Sequence, residues 1–134
     1  LEKDYRTLIP ILKKGMIILD VGCGTGAISK DIAKIVGETG KVIGIDNTQK
    51  FIENGKNNYS RIPNLDLIHS DLFDFQSEEK FDLIVSARVL QWLTTPKEAL
   101  LKMKELLKQY LAKPIWPTGR NWCLRKNKKW ILVL

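Results

Sequence analysis

Four short runs of apolar residues are spaced along the chain, with helical patterns between them, at positions 16–21, 41–46, 65–69 and 81–86. The first run is almost uninterrupted, which is typical of a parallel strand that is buried on both faces. The third alternates between apolar and polar residues and is expected nearer an edge. Because strands and helices alternate, the pattern predicts an α/β fold with a doubly wound, mostly parallel sheet, right-handed crossovers and the strand order 3-2-1-4.

Two of the predicted helices carry clear boundary signals. Apolar residues repeat at helical spacing over positions 28–36, and Gly37 provides a C-terminal stop. After the fourth run, Thr95 is expected as the N-cap of another helix, with Pro96 at its first position and Glu98 completing a capping box. One face of this helix is predicted to carry the apolar residues Leu100, Met103, Leu107 and Leu111.

Residues 110–134 do not continue this pattern, and they carry most of the net charge of +7. Residues 1–109 hold all 15 acidic residues against 16 Lys and Arg, whereas the remaining segment holds six basic residues, no acidic one and three of the four tryptophans. We therefore predict a core domain over 1–109 and a basic, tryptophan-rich tail over 110–134, with a possible fifth strand at 130–134 beside the fourth. If this edge stays open, it would favour association, so a homodimer is one expectation.

Composition excludes several classes of protein. A chain of 134 residues is long enough for one domain, and 44% hydrophobic with 28% charged residues is the balance of a globular chain. No apolar run reaches the ~20 residues of a membrane helix, and no signal peptide is recognised, so we expect a cytoplasmic protein without membrane contact. Two cysteines cannot build a disulfide scaffold or a four-ligand zinc site, and no metal is expected.

The turn after the first strand carries the most chemical information and reads LDVGCGTG at positions 19–26. Its glycines allow a tight turn and let backbone N–H groups approach a ligand closely. In an open parallel sheet, ligands bind at the carboxyl ends of the strands, which places a ligand over this loop. Asp46 ends the second strand, and its carboxylate can accept both hydroxyls of a ribose. Asp71, just after the third strand, is expected at the same edge.

Two kinds of cofactor fit a glycine loop with a ribose-binding acid. Residues 22–27 match the dinucleotide pattern G-x-G-x-x-G/A, so a nicotinamide-dinucleotide-binding domain is one alternative. Asp20 argues against this alternative, because a carboxylate just before the first glycine repels a pyrophosphate and attracts an ammonium group. A chain of this length also leaves no room for the separate substrate domain of most dehydrogenases.

The motifs together resemble the class I methyltransferases that use S-adenosylmethionine. LDVGCGTG is followed by an acid in GIDNT, an acid in HSDLFDF and the sequence FDLIVSARVLQWL. Within this class the chain is similar to the small-molecule group that includes the quinone-biosynthesis methyltransferases, from about Lys14 to about Lys108. The resemblance implies a Rossmann-like methyltransferase core, S-adenosylmethionine as cofactor and transfer of its methyl group to a small-molecule acceptor.

The resemblance also implies which residues would contact the adenosine part of the cofactor. Asp46 would accept the ribose hydroxyls, and Asn47 would lie beside the adenine. Asp71 would accept from the adenine amino group, and Leu72 would donate its backbone N–H to the ring.

At the methionine end, the resemblance implies contacts from the glycine loop and from the end of the fourth strand. Asp20 with Gly22, Cys23 and Gly24 would hold the methionine part. The far side, close to the sulfonium, would be lined by Ser86, Ala87 and Arg88. Methyl transfer from a sulfonium mainly requires alignment of the reactants, which can supply ~7–11 kcal/mol. A general base could add ~10²–10⁴-fold, but the sequence identifies no catalytic residue.

Several other polar and aromatic residues have a structural interpretation that we prefer. Asp74 and Asp82 are expected to be solvated or capping acids, and His69 to be packed or solvated rather than catalytic. Cys23 is expected to contribute to the loop only through its small size and its backbone, although a thiol at a helix N-terminus could be reactive. Trp92 is expected in the core or in a pocket wall.

The chain departs from the family pattern at Gln109, where relatives usually continue with a Pro-Gly-Gly turn and further strands. A loss of reading frame near this residue or a truncated chain would produce this departure. We favour this explanation and expect the tail to pack onto a sheet that is incomplete at this edge. The cofactor half would then be intact, while an altered acceptor half could impair activity. The alternative is an RNA-directed or non-enzymatic binder, because basic residues interleaved with tryptophans suit single-stranded nucleic acid.

Overall fold

The computed structural model describes Arg6, residues 8–87, Val89, residues 92–108, and the backbone of two strands near the C-terminus. Its strands and helices are β1 (Ile17–Val21), α1 (Ala27–Val36), β2 (Lys41–Asp46), α2 (Gln49–Tyr59), β3 (Leu65–His69), β4 (Leu83–Ser86), α3 (Pro96–Leu106), β5 (Trp122–Lys126) and β6 (Lys129–Val133).

The strands form one sheet in the order β3-β2-β1-β4-β6-β5. All neighbours are parallel except β5 and β6, which are antiparallel. The predicted α/β fold with the order 3-2-1-4 is therefore confirmed. The strand predicted at 130–134 corresponds to β6, which pairs with β4. The sequence did not predict β5, because its residues WCLRK mix aromatic and charged side chains without regular alternation.

The core consists of two apolar clusters, one on each face of the sheet. Adjacent residues of β1 belong to different clusters, because successive side chains of a strand point to opposite faces. Ile18 packs with α1 residues such as Ile32, and Leu19 packs with α3 residues such as Met103. All four side chains are fully buried. The two helices therefore cover opposite faces, and the carboxyl ends of the strands remain accessible. None of the helices in the described part of the chain is long and apolar enough to cross a membrane.

Helix α3 begins where the sequence predicts but differs in two details. Thr95 is the N-cap, yet its side chain makes no capping hydrogen bond, so the predicted capping box is wrong. The helix ends at Leu106, and Leu107 is extended rather than helical because it forms a parallel bridge with Phe81. Leu107 is nevertheless buried. Leu111 lies outside the described residues.

Asp82 joins three elements at the amino ends of the strands. Its Oδ2 atom accepts from the backbone N–H of Ile17 and from Lys108 Nζ, both at 2.9 Å. The Asp82 side chain is only 16% exposed. The interpretation of this residue as a solvated acid is therefore wrong, because its carboxylate ties the start of β1 to the segment after α3. Asp74 is exposed, as expected.

Candidate cofactor site

The glycine loop after β1 is held against the end of β2 by backbone hydrogen bonds. The N–H groups of Gly22 and Cys23 both donate to the carbonyl of Ile45, at 2.8 and 3.0 Å. Gly22 adopts φ 76°, and a Cβ atom at this position would collide with the side chain of Val89. Only glycine combines this left-handed backbone with such a close approach.

Asp46 connects the loop to the helix that follows β2. One of its carboxylate oxygens accepts from the N–H of Gly24 at 2.9 Å, and the other accepts from the N–H of Thr48, the N-cap of α2, at 2.8 Å. The residue is half-buried. A carboxylate has about four acceptor positions, so two remain after these contacts. Asp46 can therefore fix the loop and still accept hydroxyl groups from a ligand.

Asp20 lies at the end of β1, where only 3% of the residue is exposed. The hydroxyl of Ser29, on α1, donates to its Oδ2 atom at 2.6 Å. The pKa of Asp20 is raised from 3.8 to about 6, and burial is the largest cause of this rise. The Ser29 hydrogen bond partly opposes the rise, whereas the charge of Asp46 adds to it. A buried carboxylate with such a pKa is poorly compensated, so it favours the approach of a cation.

A cavity of about 270 Å³ opens beside the loop, at the carboxyl ends of β1, β2 and β3. It brings together five residues that the resemblance assigns to the cofactor: Gly22, Asp46, Asn47, Asp71 and Leu72. The rest of its wall is mainly apolar and consists of Val21, Ile45, Ser70, Phe73, Val89, Trp92 and Leu93.

Asp71 presents an acceptor, and the neighbouring Leu72 presents a donor. Asp71 Oδ1 accepts from the N–H of Phe73 at 2.7 Å, which leaves the rest of the carboxylate available. The backbone N–H of Leu72 has no hydrogen-bond partner among the described residues. An acceptor next to an unused N–H matches the edge of a purine, which offers an amino group beside a ring nitrogen.

Five other residues assigned to the cofactor do not line this cavity: Asp20, Cys23, Gly24, Ser86 and Ala87. Ser86 is fully buried at the end of β4, beside Val21, and its hydroxyl has no hydrogen-bond partner within the described part of the chain. Such a hydroxyl is costly to bury and suits a site that a ligand completes. Arg88 lies outside the described residues.

Ser29, Val89 and Phe73 are among the residues of the site that sequence reasoning missed. Ser29 shows no signal beyond a polar residue on the buried face of a helix. Val89 and Phe73 enter the cavity wall from loops, whose paths the hydrophobic pattern does not specify. Trp92 lines the cavity but is 80% exposed, so the pocket-wall interpretation is correct and the core interpretation is wrong.

The remaining candidates behave as ordinary structural residues. His69 is exposed, and its Nε2 atom lies 3.0 Å from the carbonyl of Asn47. Burial, followed by the charges of Asp20 and Asp46, raises the pKa of the Cys23 thiol far above its usual range. The suggestion of a reactive thiol at the helix N-terminus is therefore wrong, because the thiolate would be poorly solvated and repelled.

Comparison with known proteins agrees with this geometry. Residues 12–112 match a family model described as a methyltransferase domain. Demethylmenaquinone methyltransferase of Staphylococcus aureus (strain MRSA252) is 36% identical over 118 residues, which are 87% of this chain and 46% of the relative. The chain thus spans about half the length of the curated relatives it matches.

Two solved structures illustrate the likeness in fold. A SAM-dependent methyltransferase from Aquifex aeolicus superimposes with a TM-score of 0.72 and 28% identity, over 82% of this chain and 61% of the other. Coclaurine N-methyltransferase, solved with N-methylheliamine and SAH, gives a TM-score of 0.69 at 20% identity, over 78% and 31% of the two chains. At that identity the second match supports the fold alone. Family, fold and motif order agree, and the chain belongs to the methyltransferase domain family of the class I S-adenosylmethionine-dependent methyltransferases.

Proposed function

We propose that this chain binds S-adenosylmethionine at the carboxyl ends of β1, β2 and β3 and transfers its methyl group to a small-molecule acceptor. When bound, the cofactor supplies a methyl group on a sulfonium, a good leaving group. The observation that carries the proposal is the cavity wall, which Asp46, Asp71 and Leu72 line together, with the N–H of Leu72 lacking a partner among the described residues. The comparisons give no support for nicotinamide or RNA binding.

The residues of the cavity fit an adenosine. The remaining acceptor positions of Asp46 suit two neighbouring ribose hydroxyls, while Asp71 and Leu72 suit the polar edge of adenine. Asn47 lines the same wall, beside Asp46. The apolar residues Ile45 and Leu72 line the same wall and suit apolar contact with the ring.

The methionine part would lie toward the glycine loop. Its ammonium group would approach Asp20, whose buried carboxylate has no cationic partner among the described residues, and its carboxylate would lie against the backbone of Cys23 and Gly24. The Ser86 hydroxyl, which has no partner in the part of the chain that the structure describes, and the neighbouring Ala87 would border the sulfonium. For Arg88, the proposed contact rests on the resemblance alone.

An apolar acceptor agrees best with the mouth of the cavity. Trp92 is 80% exposed and Phe73 is 40% exposed, and Leu93, which also lines the cavity, packs against the core. Large apolar side chains exposed around a cavity are typical of a site that receives an apolar ligand. The relative from Staphylococcus aureus is named for demethylmenaquinone, a ligand of this chemical kind.

A transfer assay tests the proposed activity. The chain is incubated with S-adenosylmethionine labelled on its methyl carbon and with either a hydroxylated naphthoquinol or a polar catechol. We expect label in the naphthoquinol. Label in neither acceptor, with a folded sample, would contradict the proposed reaction. A cytoplasmic location, a homodimer, the domain division at residue 109 and a break of the reading frame there stay predictions from the sequence.

A further inference from the structure

Ser29 occupies an unusual position for a polar residue. It is the third residue of α1, and it is fully buried on the helix face that also buries Ile32, Ala33 and Val36. Apolar residues normally fill such a face, because a buried hydroxyl costs free energy unless it is hydrogen-bonded. Ser29 satisfies its hydroxyl with a single short contact, the 2.6 Å hydrogen bond to Asp20 Oδ2.

Among the described residues, this hydrogen bond is the contact that favours the charged form of Asp20. Burial disfavours the carboxylate, and the negative charge of Asp46, at the end of β2, disfavours it further. Cys23, the titratable group that faces Asp20 from the glycine loop, carries no positive charge. Among the described residues, no Lys or Arg forms a salt bridge with Asp20. Within the described residues, Asp20 is therefore a buried acid without a cationic partner, which suits the approach of a cationic ligand group.

We propose that Ser29 is a positioning residue for the cofactor, an inference that rests on the proposed function. The Ser29 hydroxyl orients the buried Asp20 carboxylate and favours its charged form. This charged carboxylate would then receive the ammonium group of the methionine part. The hydrogen bond also limits rotation of the carboxylate, since one oxygen is held toward α1. The other oxygen is then available to the ligand.

The role of Ser29 has a consequence for the pH dependence of binding. A cation binds the ionised form of Asp20, so affinity for S-adenosylhomocysteine should rise as the pH increases through about 6 and then level off. Below this midpoint the affinity should fall about tenfold per pH unit. Without the Ser29 hydroxyl, the neutral carboxyl is favoured more strongly, and the midpoint should move to higher pH.

The experiment measures the dissociation constant of S-adenosylhomocysteine by calorimetry between pH 5 and 7.5. It compares the wild type with Ser29→Ala and with Ser29→Cys, which has nearly the size of serine but a weak donor. His69→Gln is a control, because it removes the one histidine of the chain. Whatever that substitution does to affinity, the midpoint should stay in place.

We expect the midpoint of both Ser29 variants to rise by about one pH unit or more, so that the loss of affinity is large at pH 6 and small at pH 7.5. A wild-type profile in either folded variant, or an equal loss at every pH, would overturn the role of Ser29. If Ser29→Ala does not fold, Ser29→Cys decides alone. Absence of binding by the wild type at all pH values would instead contradict the proposed function itself.

Discussion

Gly24 and Asp46 are joined by a 2.9 Å hydrogen bond from a backbone N–H to a carboxylate oxygen, across 22 positions of sequence. The other oxygen of the same carboxylate holds the N-cap of α2. The acid expected to bind a ribose thus also fixes the loop expected to bind the methionine part. Because one side chain serves both ends of the site, its loss should affect binding more than the loss of one ligand contact.

Replacement of Asp46 by alanine should weaken the binding of S-adenosylhomocysteine by ~1.5–3 kcal/mol, which is roughly 10–150-fold. Charge-assisted hydrogen bonds to the ribose are lost, and the N–H of Gly24 loses its acceptor. Asp66→Ala is a matched control, because this side chain is 64% exposed on β3 and does not line the cavity. Calorimetry measures both variants. Wild-type affinity in Asp46→Ala would contradict the role of this residue.

Gly22 and Gly24, two of the three loop glycines, provide a second test, because their environments differ in one respect. Gly22 and Gly24 both have positive φ, 76° and 59°, so alanine strains the backbone at either position, by about 1–2 kcal/mol. Only at Gly22 would the new Cβ collide with Val89; at Gly24 it meets no atom within 4 Å.

We therefore expect Gly22→Ala to lower the free energy of unfolding by a further ~1–3 kcal/mol relative to Gly24→Ala, as overpacking does. Urea denaturation measures the difference. The additional substitution Val89→Ala should recover part of the loss in Gly22→Ala and none in Gly24→Ala. Equal destabilisation of the two single variants would show that Val89 does not lie over the loop.

The sequence was sufficient for the strand order and for the acids at the strand ends. Asp46 and Asp71 follow strands whose apolar runs are evident, and parallel strands bring their carboxyl ends to one edge. The contact between Ser29 and Asp20 could not be predicted, because it depends on which face of β1 the acid occupies and on the rotation of α1 against it. Val89 and Trp92 enter from a loop, where hydrophobic periodicity carries no information.

The ionised carboxylate of Asp20 should lower the stability of the ligand-free protein at pH values above the pKa of this residue. The pKa of this group rises from 3.8 in the unfolded chain to about 6 in the fold, so its contribution to stability is fully present below pH 3.8 and is lost as the pH rises to about 6. The difference corresponds to up to about 3 kcal/mol.

Asp20→Asn removes this titration. In urea denaturation, the variant should be more stable than the wild type at pH 7.5 and equally stable near pH 4, while binding S-adenosylhomocysteine more weakly. Asp66→Asn, at a side chain that is 64% exposed, is the control and should not reproduce the gain in stability at pH 7.5. A difference between Asp20→Asn and the wild type that does not change with pH would contradict the raised pKa of Asp20.

The contact between Asp82 and Lys108 at the opposite end of the strands should stabilise the fold without affecting binding. Lys108→Met removes the Nζ contact from a carboxylate that is 16% exposed and that also accepts from the N–H of Ile17. We expect a loss of about 1–2 kcal/mol in the free energy of unfolding, between the values for exposed and buried pairs.

Two comparisons isolate this ion pair. Lys14→Met, at an exposed position, should leave the stability unchanged. In an Asp82→Asn background, Lys108→Met should cost much less than in the wild type, because the partner charge is already absent. The same cost in both backgrounds would show that the contribution of Lys108 does not depend on Asp82.

The central claim is that residues from three strand ends form one adenosine site. Its most direct test is a calorimetric titration of the folded wild-type chain with S-adenosylhomocysteine at pH 7.5, with NAD as the competing ligand. We expect one molecule of S-adenosylhomocysteine per chain and weaker or no binding of NAD. No heat at millimolar S-adenosylhomocysteine, or tighter binding of NAD, would contradict the account.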